Sequence, residues 1–260
     1  MRALVINRHD RFNGLDDTEV PSPSPANDEV SIDVQFAGVG LIDALWTTGR
    51  MPSRLGRIPG LEVSGTIREL GENVTTVTVG QKVAAILPST GGFAEVVCAP
   101  ASLVAEVPDD LTMDLASVVP INTVTAHLAL TTAIRFVPGE SLLIHAGAGG
   151  LGSQFAQVSR ALGAGRIDAV VGTDAKREIA LGFGYEHSYL RDDLSAIPGD
   201  TYDIVIDPVG GEATADAFRV LRSGGRLVRV GNASQAADVA VNSTQHWLQN
   251  KTTAGFNVGA

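Results

Sequence analysis

One glycine-rich hexapeptide constrains the fold more than any other part of the chain. Gly147-Ala148-Gly149-Gly150-Leu151-Gly152 follows the apolar run 142–146 and opens a segment in which Leu151, Phe155, Val158 and Leu162 recur at spacings of four, three and four. The apolar run suits a central parallel strand, and the spacing puts four apolar side chains on one helix face. A GxGxxG between such a strand and helix has a physical use. Without side chains the backbone turns sharply, its N–H groups can approach a pyrophosphate at the positive end of the helix, and helix and sheet pack closely. Alone, the hexapeptide also fits an ordinary glycine turn; within a βαβ unit it points to dinucleotide binding.

The βα alternation continues downstream. Strands are expected at 141–146, 167–171, 187–190, 202–207, 226–230 and 253–258, with helices at 175–181 and 211–221. This order predicts an α/β fold with a doubly wound parallel sheet. Residues 116–134 read as one helix or two, because Pro120 can open a helix but breaks an interior one. Upstream of Met113 the style differs. Short Val- and Ile-rich runs at 3–6, 30–37, 63–70, 83–87, 93–98 and 103–107 are separated by Pro and Gly turns, with one helical stretch at 42–48. That is the pattern of a compact all-β unit. The chain of 260 residues therefore divides into an expected first domain, 1–114, and a second, 115–260, each near the common domain size of roughly 100–150 residues.

Composition excludes several classes. With 19 Lys and Arg against 29 Asp and Glu, the net charge of -10 repels phosphate backbones and anionic lipid, so neither nucleic acid nor a membrane surface is an expected partner. Any phosphate has to be held locally. The single cysteine, Cys98, permits no internal disulfide and no multi-cysteine zinc site, which fits a cytoplasmic protein. The opening apolar run, 1–6, is too short for a signal peptide, and no later stretch reaches the roughly 18 apolar residues of a membrane helix.

Cofactor choice turns on the end of the second Rossmann strand, where an acid about 20 positions beyond the loop would bind the ribose 2′-OH of NAD. Asp174 lies near that place, but Gly172 and Thr173 separate it from the strand and it reads as the cap of a helix beginning at Ala175. Lys176 and Arg177 follow at once, and two cations suit the extra phosphate of NADP. NADPH is the expected cofactor, with NADH as the alternative.

Four segments together resemble a known family. Ala146 to Gly152 is similar to an AxxGGxG nucleotide loop, Pro59-Gly60-Leu61-Glu62-Val63-Ser64-Gly65 to a PGxExxG segment, Gly91-Gly92-Phe93-Ala94-Glu95 to GG(F/Y)AE, and Asp207-Pro208-Val209-Gly210-Gly211 to DxVGG. They resemble the zinc-independent quinone oxidoreductase and enoyl reductase branch of the medium-chain dehydrogenase/reductases. The resemblance implies a GroES-like β-barrel followed by a Rossmann domain, with a nicotinamide between them. It carries cofactor contact onto Gly147, Gly149, Gly150, Leu151 and Gly152 of the loop, and onto Thr173, Lys176 and Arg177 at the second strand end. It extends the same role to Asp207 and Val209, and to Tyr189 as an aromatic covering the adenine or its phosphate. Zinc-binding relatives carry Cys and His where this chain has Gly40 and Leu61, so no metal is expected.

A metal-free site implies hydride transfer from NADPH to a quinone or to the β-carbon of an activated C=C, because an ordinary alcohol would lack a means of losing its proton. Asp43, Trp46 and Thr125 are the candidate catalytic residues, although Asp43 equally suits a helix cap, Trp46 core and Thr125 a buried helix position. The substrate loop departs from the family pattern: polar handles common in relatives are replaced by Gly40, Thr47 and Met51. Trp46 and Met51 instead suggest an apolar pocket for a small hydrophobic or aromatic substrate. The same departure keeps open a catalytically silent nucleotide-binding sensor or structural member. A homodimer through the strand at 253–258 is implied, and the chain is expected to lack the C-terminal return found in relatives. Rival chemistries have no support: no Tyr-x-x-x-Lys, GxSxG or GxxxxGK[ST] occurs, and the five histidines show no metal-ligand spacing.

Overall fold

The computed structural model describes residues 1–259. The chain divides into two units, Met1–Ile121 and Asn122–Ala260.

The first unit is antiparallel. Strands β1 (Arg2–Ile6) and β2 (Leu15–Glu19) form a hairpin, and a five-stranded sheet runs β6-β3-β4-β5-β7. Its strands are β3 (Glu29–Ala37), β4 (Glu62–Leu70), β5 (Lys82–Ile86), β6 (Val96–Pro100) and β7 (Val104–Glu106). Val30, Ile32, Val63, Ile67, Val83 and Leu87 meet in its core. Two short helices accompany the sheet, α1 (Leu41–Thr47) and α2 (Met113–Ala116). The first unit extends beyond the expected boundary at 114 because α2 belongs to it: Ser64 on β4 donates its hydroxyl to the Met113 carbonyl.

The second unit holds a six-stranded sheet in the order β10-β9-β8-β11-β12-β13, with every pair parallel. Its strands are β8 (Ser141–His145), β9 (Arg166–Val171), β10 (His187–Leu190), β11 (Tyr202–Asp207), β12 (Leu221–Arg229) and β13 (Thr252–Gly255). Helices α3 (Pro120–Leu128), α4 (Gly150–Ala161), α5 (Asp174–Gly182), α6 (Glu212–Val220) and α7 (Ser243–Gln249) complete the element order. Pro120 does open α3, which runs on into one π-helical turn, Ala129–Ala133. Side chains alternate across the sheet, as strand pleating requires. Leu142, Ile144, Ile167 and Ala169 join Phe155 of α4 in one core, while Leu143, Val170, Val205 and Leu227 join Ala217 and Val220 of α6 in the other. Among the described residues no helix is long and apolar enough to cross a membrane.

Candidate functional site

The glycine loop lies where β8 ends and α4 begins. Ala146 turns the chain with φ 53°, a left-handed conformation that costs a residue with a side chain, and the Gly147 N–H then donates to the Val170 carbonyl of β9 at 3.1 Å. The glycines differ in what they permit. A Cβ on Gly147 would lie 2.6 Å from that of Ala169, and one on Gly152 would lie 2.7 Å from the Gly147 Cα and closer still to the Ala146 carbonyl. Those two positions let turn, helix and strand pack. A Cβ on Gly149 would meet only the Ala146 oxygen, at 3.2 Å, and one on Gly150 would meet Asn122 Nδ2 at 3.3 Å. Gly149 is the N-cap of α4, so Gly150, Leu151 and Gly152 form a first turn whose N–H groups have no intrahelical acceptor. Such a first turn is able to accept an anionic group. Tyr185, buried, braces it by donating its hydroxyl to the Gly152 carbonyl at 2.7 Å.

At the end of β9, Thr173 rather than Asp174 caps α5: its Oγ1 accepts the Lys176 N–H at 3.3 Å, and Asp174 is the first helical residue. The expected cap was one residue late because Thr and Asp both suit the position. Arg177 is committed, its Nε to the Ser188 carbonyl at 3.1 Å and its Nη1 to Asp174 at 3.3 Å. Lys176 is exposed. A second cation comes from the end of β10: a Cβ on Gly172 would lie 3.8 Å from Arg191 Nη1. Tyr189 does not turn toward this end of the sheet. Its hydroxyl lies 3.5 Å from Arg166 Nη2, at the first residue of β9, and its ring packs with the second core, so the phenol runs back along the strands.

Asp207, expected to touch the cofactor, is fully buried and occupied. Its Oδ1 accepts the N–H groups of Val209 (2.8 Å) and Gly210 (2.9 Å), while its Oδ2 accepts the Thr214 hydroxyl and lies 3.5 Å from Arg229 Nε. It therefore shapes the turn carrying Val209. Beside it His145 is buried, and burial pushes its pKa down against the opposing pull of Asp207 and Asp216.

In the first unit, Asp43 is buried and both its oxygens are used. Oδ2 accepts the Gly40 N–H and Oδ1 the Gly60 N–H, each at 2.9 Å. Burial pushes its pKa up while those two N–H groups pull it down. Trp46 is buried beneath the Arg57 guanidinium, 4.3 Å from the ring centroid, and the Thr47 hydroxyl donates to the Ala44 carbonyl. Met51 is exposed. Glu62, at the start of β4, is a second buried carboxyl; burial first, then Asp43, push its pKa to about 7 against the Ile121 N–H that it accepts at 2.8 Å. Gly40 and Leu61 offer no donor atom, and among the described residues no three of His, Cys, Asp and Glu gather as a metal site. Thr125, on α3 in the second unit, is buried and its hydroxyl has no protein partner among the described residues.

Residues 26–109 match the alcohol dehydrogenase GroES-like domain and residues 150–260 match the zinc-binding dehydrogenase family. A probable quinone oxidoreductase of Schizosaccharomyces pombe is 31% identical over 226 residues, which are 85% of this chain and 68% of that protein. The chain belongs to the medium-chain dehydrogenase/reductase superfamily. This medium-chain dehydrogenase/reductase is also 32% identical over 247 residues to a phenolphthiocerol/phthiocerol polyketide synthase of Mycobacterium tuberculosis, covering 92% of this chain but only 11% of the synthase. The fold matches that of Escherichia coli quinone oxidoreductase, solved with NADPH, with a TM-score of 0.85 at 24% identity, over 97% of this chain and 80% of that one. The two units are thus the superfamily's GroES-like domain and Rossmann-like sheet.

Three residues of this medium-chain dehydrogenase/reductase escaped the sequence reading as functional groups. Glu62 had a local signal, a carboxyl inside the apolar strand sequence Leu61-Glu62-Val63, which implies a buried partner. Arg191 and Tyr185 had none, because tertiary contacts alone bring them to the loop: the pairing of β9 and β10 carries Arg191 to Gly172, and the Tyr185 hydroxyl reaches the Gly152 carbonyl.

Proposed function

We propose that the chain is a zinc-independent, NADPH-dependent oxidoreductase that transfers hydride to a quinone or an activated C=C. The observation that carries this reading is the first turn of α4, where a Cβ on Gly149 would meet a single atom, the Ala146 oxygen, and the N–H groups behind it have no intrahelical acceptor. Gly150, Leu151 and Gly152 would hold the pyrophosphate through backbone N–H. Lys176 and Arg191 would hold the adenosine phosphate; Arg177 contributes less, since two of its nitrogens are already engaged. Thr125, with its free hydroxyl, would orient the carboxamide or the substrate. Bound NADPH supplies the hydride. The donor set disfavours zinc: Gly40 and Leu61 replace the two ligand positions, and the side chain of Asp43 is consumed by backbone. For the same reason Asp43 acts as a template for the Gly40 and Gly60 backbone, not as an acid. The open outer edge of β13, with Trp247 exposed nearby, supports a homodimer.

Occupation of Asp43 and Thr47 by internal hydrogen bonds favours a second reading, a nucleotide-binding member without turnover. NADPH consumption by purified protein, followed across quinones, enones and enoyl thioesters, separates the two. Oxidation with any acceptor supports the enzyme; tight NADPH binding without oxidation across the whole panel supports the silent protein.

A further inference from the structure

The Glu62 carboxyl connects two elements with different tasks. Pro120 has no N–H, so Ile121 presents the first donor of α3, and at that position the helix itself offers no acceptor. Glu62 Oε2 takes it at 2.8 Å. The room for this carboxyl is built in: a Cβ on Gly38 would lie 2.6 Å from Glu62 Oε1 and 2.7 Å from the Ser117 carbonyl. The residues after Ile121 reach the cofactor cradle. Asn122 Nδ2 packs 3.3 Å from the point where a Gly150 Cβ would lie, and the Thr123 hydroxyl donates to Gln154 Oε1 of α4 at 2.8 Å.

We propose that Glu62, by holding Ile121, fixes the first turn of α3 against the glycine loop and so sets cofactor affinity. It is a positioning residue, and the inference rests on the nicotinamide-cofactor reading above. Its control follows from what surrounds the carboxyl. Asp43 of α1 faces it, a buried carboxyl that accepts two backbone N–H groups and feels Arg57; Ser117, just after α2, presents its carbonyl, and α3 presents the Ile121 N–H. Neutral Glu62 keeps the bond to Ile121 without repulsion. Ionised Glu62 is buried beside a second carboxylate and is driven away from that position, loosening the α3 turn. Cofactor binding therefore weakens as pH rises through about 7.

Glu62→Gln is neutral at every pH and its amide oxygen can still accept the Ile121 N–H. NADPH dissociation constants of wild type, Glu62→Gln and Glu62→Ala are compared by fluorescence titration at pH 6 and 8.5, with hydrogen exchange at the Ile121 amide measured alongside. The Gln variant should match wild type at pH 6 and bind about fivefold tighter than wild type at pH 8.5, a typical coupling between linked sites. The Ala variant should bind weakly at both and exchange Ile121 faster. Because the three proteins share the ligand's own phosphate titration, it cancels from the comparison. Equal pH dependence in wild type and Glu62→Gln overturns the proposal even if Glu62→Ala fails to fold. If wild type binds neither NADPH nor NADH, the cofactor reading fails; the Ile121 anchor then stands or falls on whether its exchange in Glu62→Gln and wild type diverges between the two pH values.

Discussion

Two glycines of the same loop should fail in different ways when given a side chain. Gly152→Ala places a methyl 2.7 Å from the Gly147 Cα and even nearer the Ala146 carbonyl, both backbone atoms, so loop or helix has to shift. Overpacking against backbone, which cannot swing aside as a side chain does, lies in the upper part of the usual range, about 2–3 kcal/mol, offset by about 1 kcal/mol from the better helix propensity of Ala in α4. At about 2–4 °C per kcal/mol for a chain of this size, the net loss lowers Tm by roughly 2–8 °C. The Cβ of Gly149→Val meets only one atom, at 3.2 Å, and the φ of -84° and ψ of 170° suit any residue. The fold should lose about 1 kcal/mol or less. The valine would, however, stand where the pyrophosphate approaches. Losing two charge-assisted hydrogen bonds of about 1.5–3 kcal/mol each weakens NADPH binding about a hundredfold or more. Differential scanning fluorimetry and an NADPH titration on both variants give the assay. Wild-type affinity in a folded Gly149→Val, or an unchanged Tm in Gly152→Ala, refutes the assignment of the two positions.

Other perturbations test separate parts of the structure. Arg191→Ala should raise the NADPH dissociation constant about tenfold or more and leave NADH within about twofold, since only the former has a phosphate for the guanidinium; equal loss for both removes Arg191 from phosphate recognition. Tyr202→Phe strips a donor from the fully buried Asp168 and should cost about 1–3 kcal/mol in urea unfolding without changing cofactor affinity. A drop in affinity would mean that this network reaches the cradle. Glu62 has a folded pKa raised from 4.5 to about 7, so the native state binds the extra proton and its stability contribution, present below the lower value, is lost as pH rises to the upper one. The unfolding free energy of Glu62→Gln relative to wild type should therefore improve by about 3 kcal/mol between pH 4.5 and 8. Parallel stability curves would contradict this.

The glycine loop was legible because strand, turn and helix each leave a local pattern, and all three agree over 142–162. The parallel strands of the second unit were legible as apolar runs for the same reason. β2, Leu-Asp-Asp-Thr-Glu, has no such pattern; it is a strand only because each residue pairs across to β1, from Leu15 opposite Ile6 to Glu19 opposite Arg2. Helix α7 was missed too, since it is one short exposed segment started by the Asn242 side chain, which accepts the Gln245 N–H. At the candidate site, spacing proposes the loop glycines and Lys176, residues close in sequence. It could not assign Arg191, which reaches Gly172 through the pairing of β9 and β10, nor foresee that Tyr189 would point back to Arg166.

The acidic excess also acquires a structural meaning. As composition alone it reads as a solvated, soluble surface, but Asp43, Glu62, Asp168, Asp203 and Asp207 are all buried. Each accepts a backbone N–H from a loop, strand start or helix start: Gly40 and Gly60, Ile121, His187, Ser141, and Val209 with Gly210, respectively. A carboxylate suits this task because its two oxygens can satisfy donors that the end of a regular element leaves unpaired. Asp168, Asp203 and Asp207 also face Arg166, Arg222 and Arg229, so their charge is opposed by a cation. Among the described residues no cation forms a salt bridge with Glu62, which faces Asp43 instead. That difference sets the Glu62 backbone bond beside a neighbouring like charge, and it separates the turn at Asp207 from the helix start proposed above to respond to proton binding.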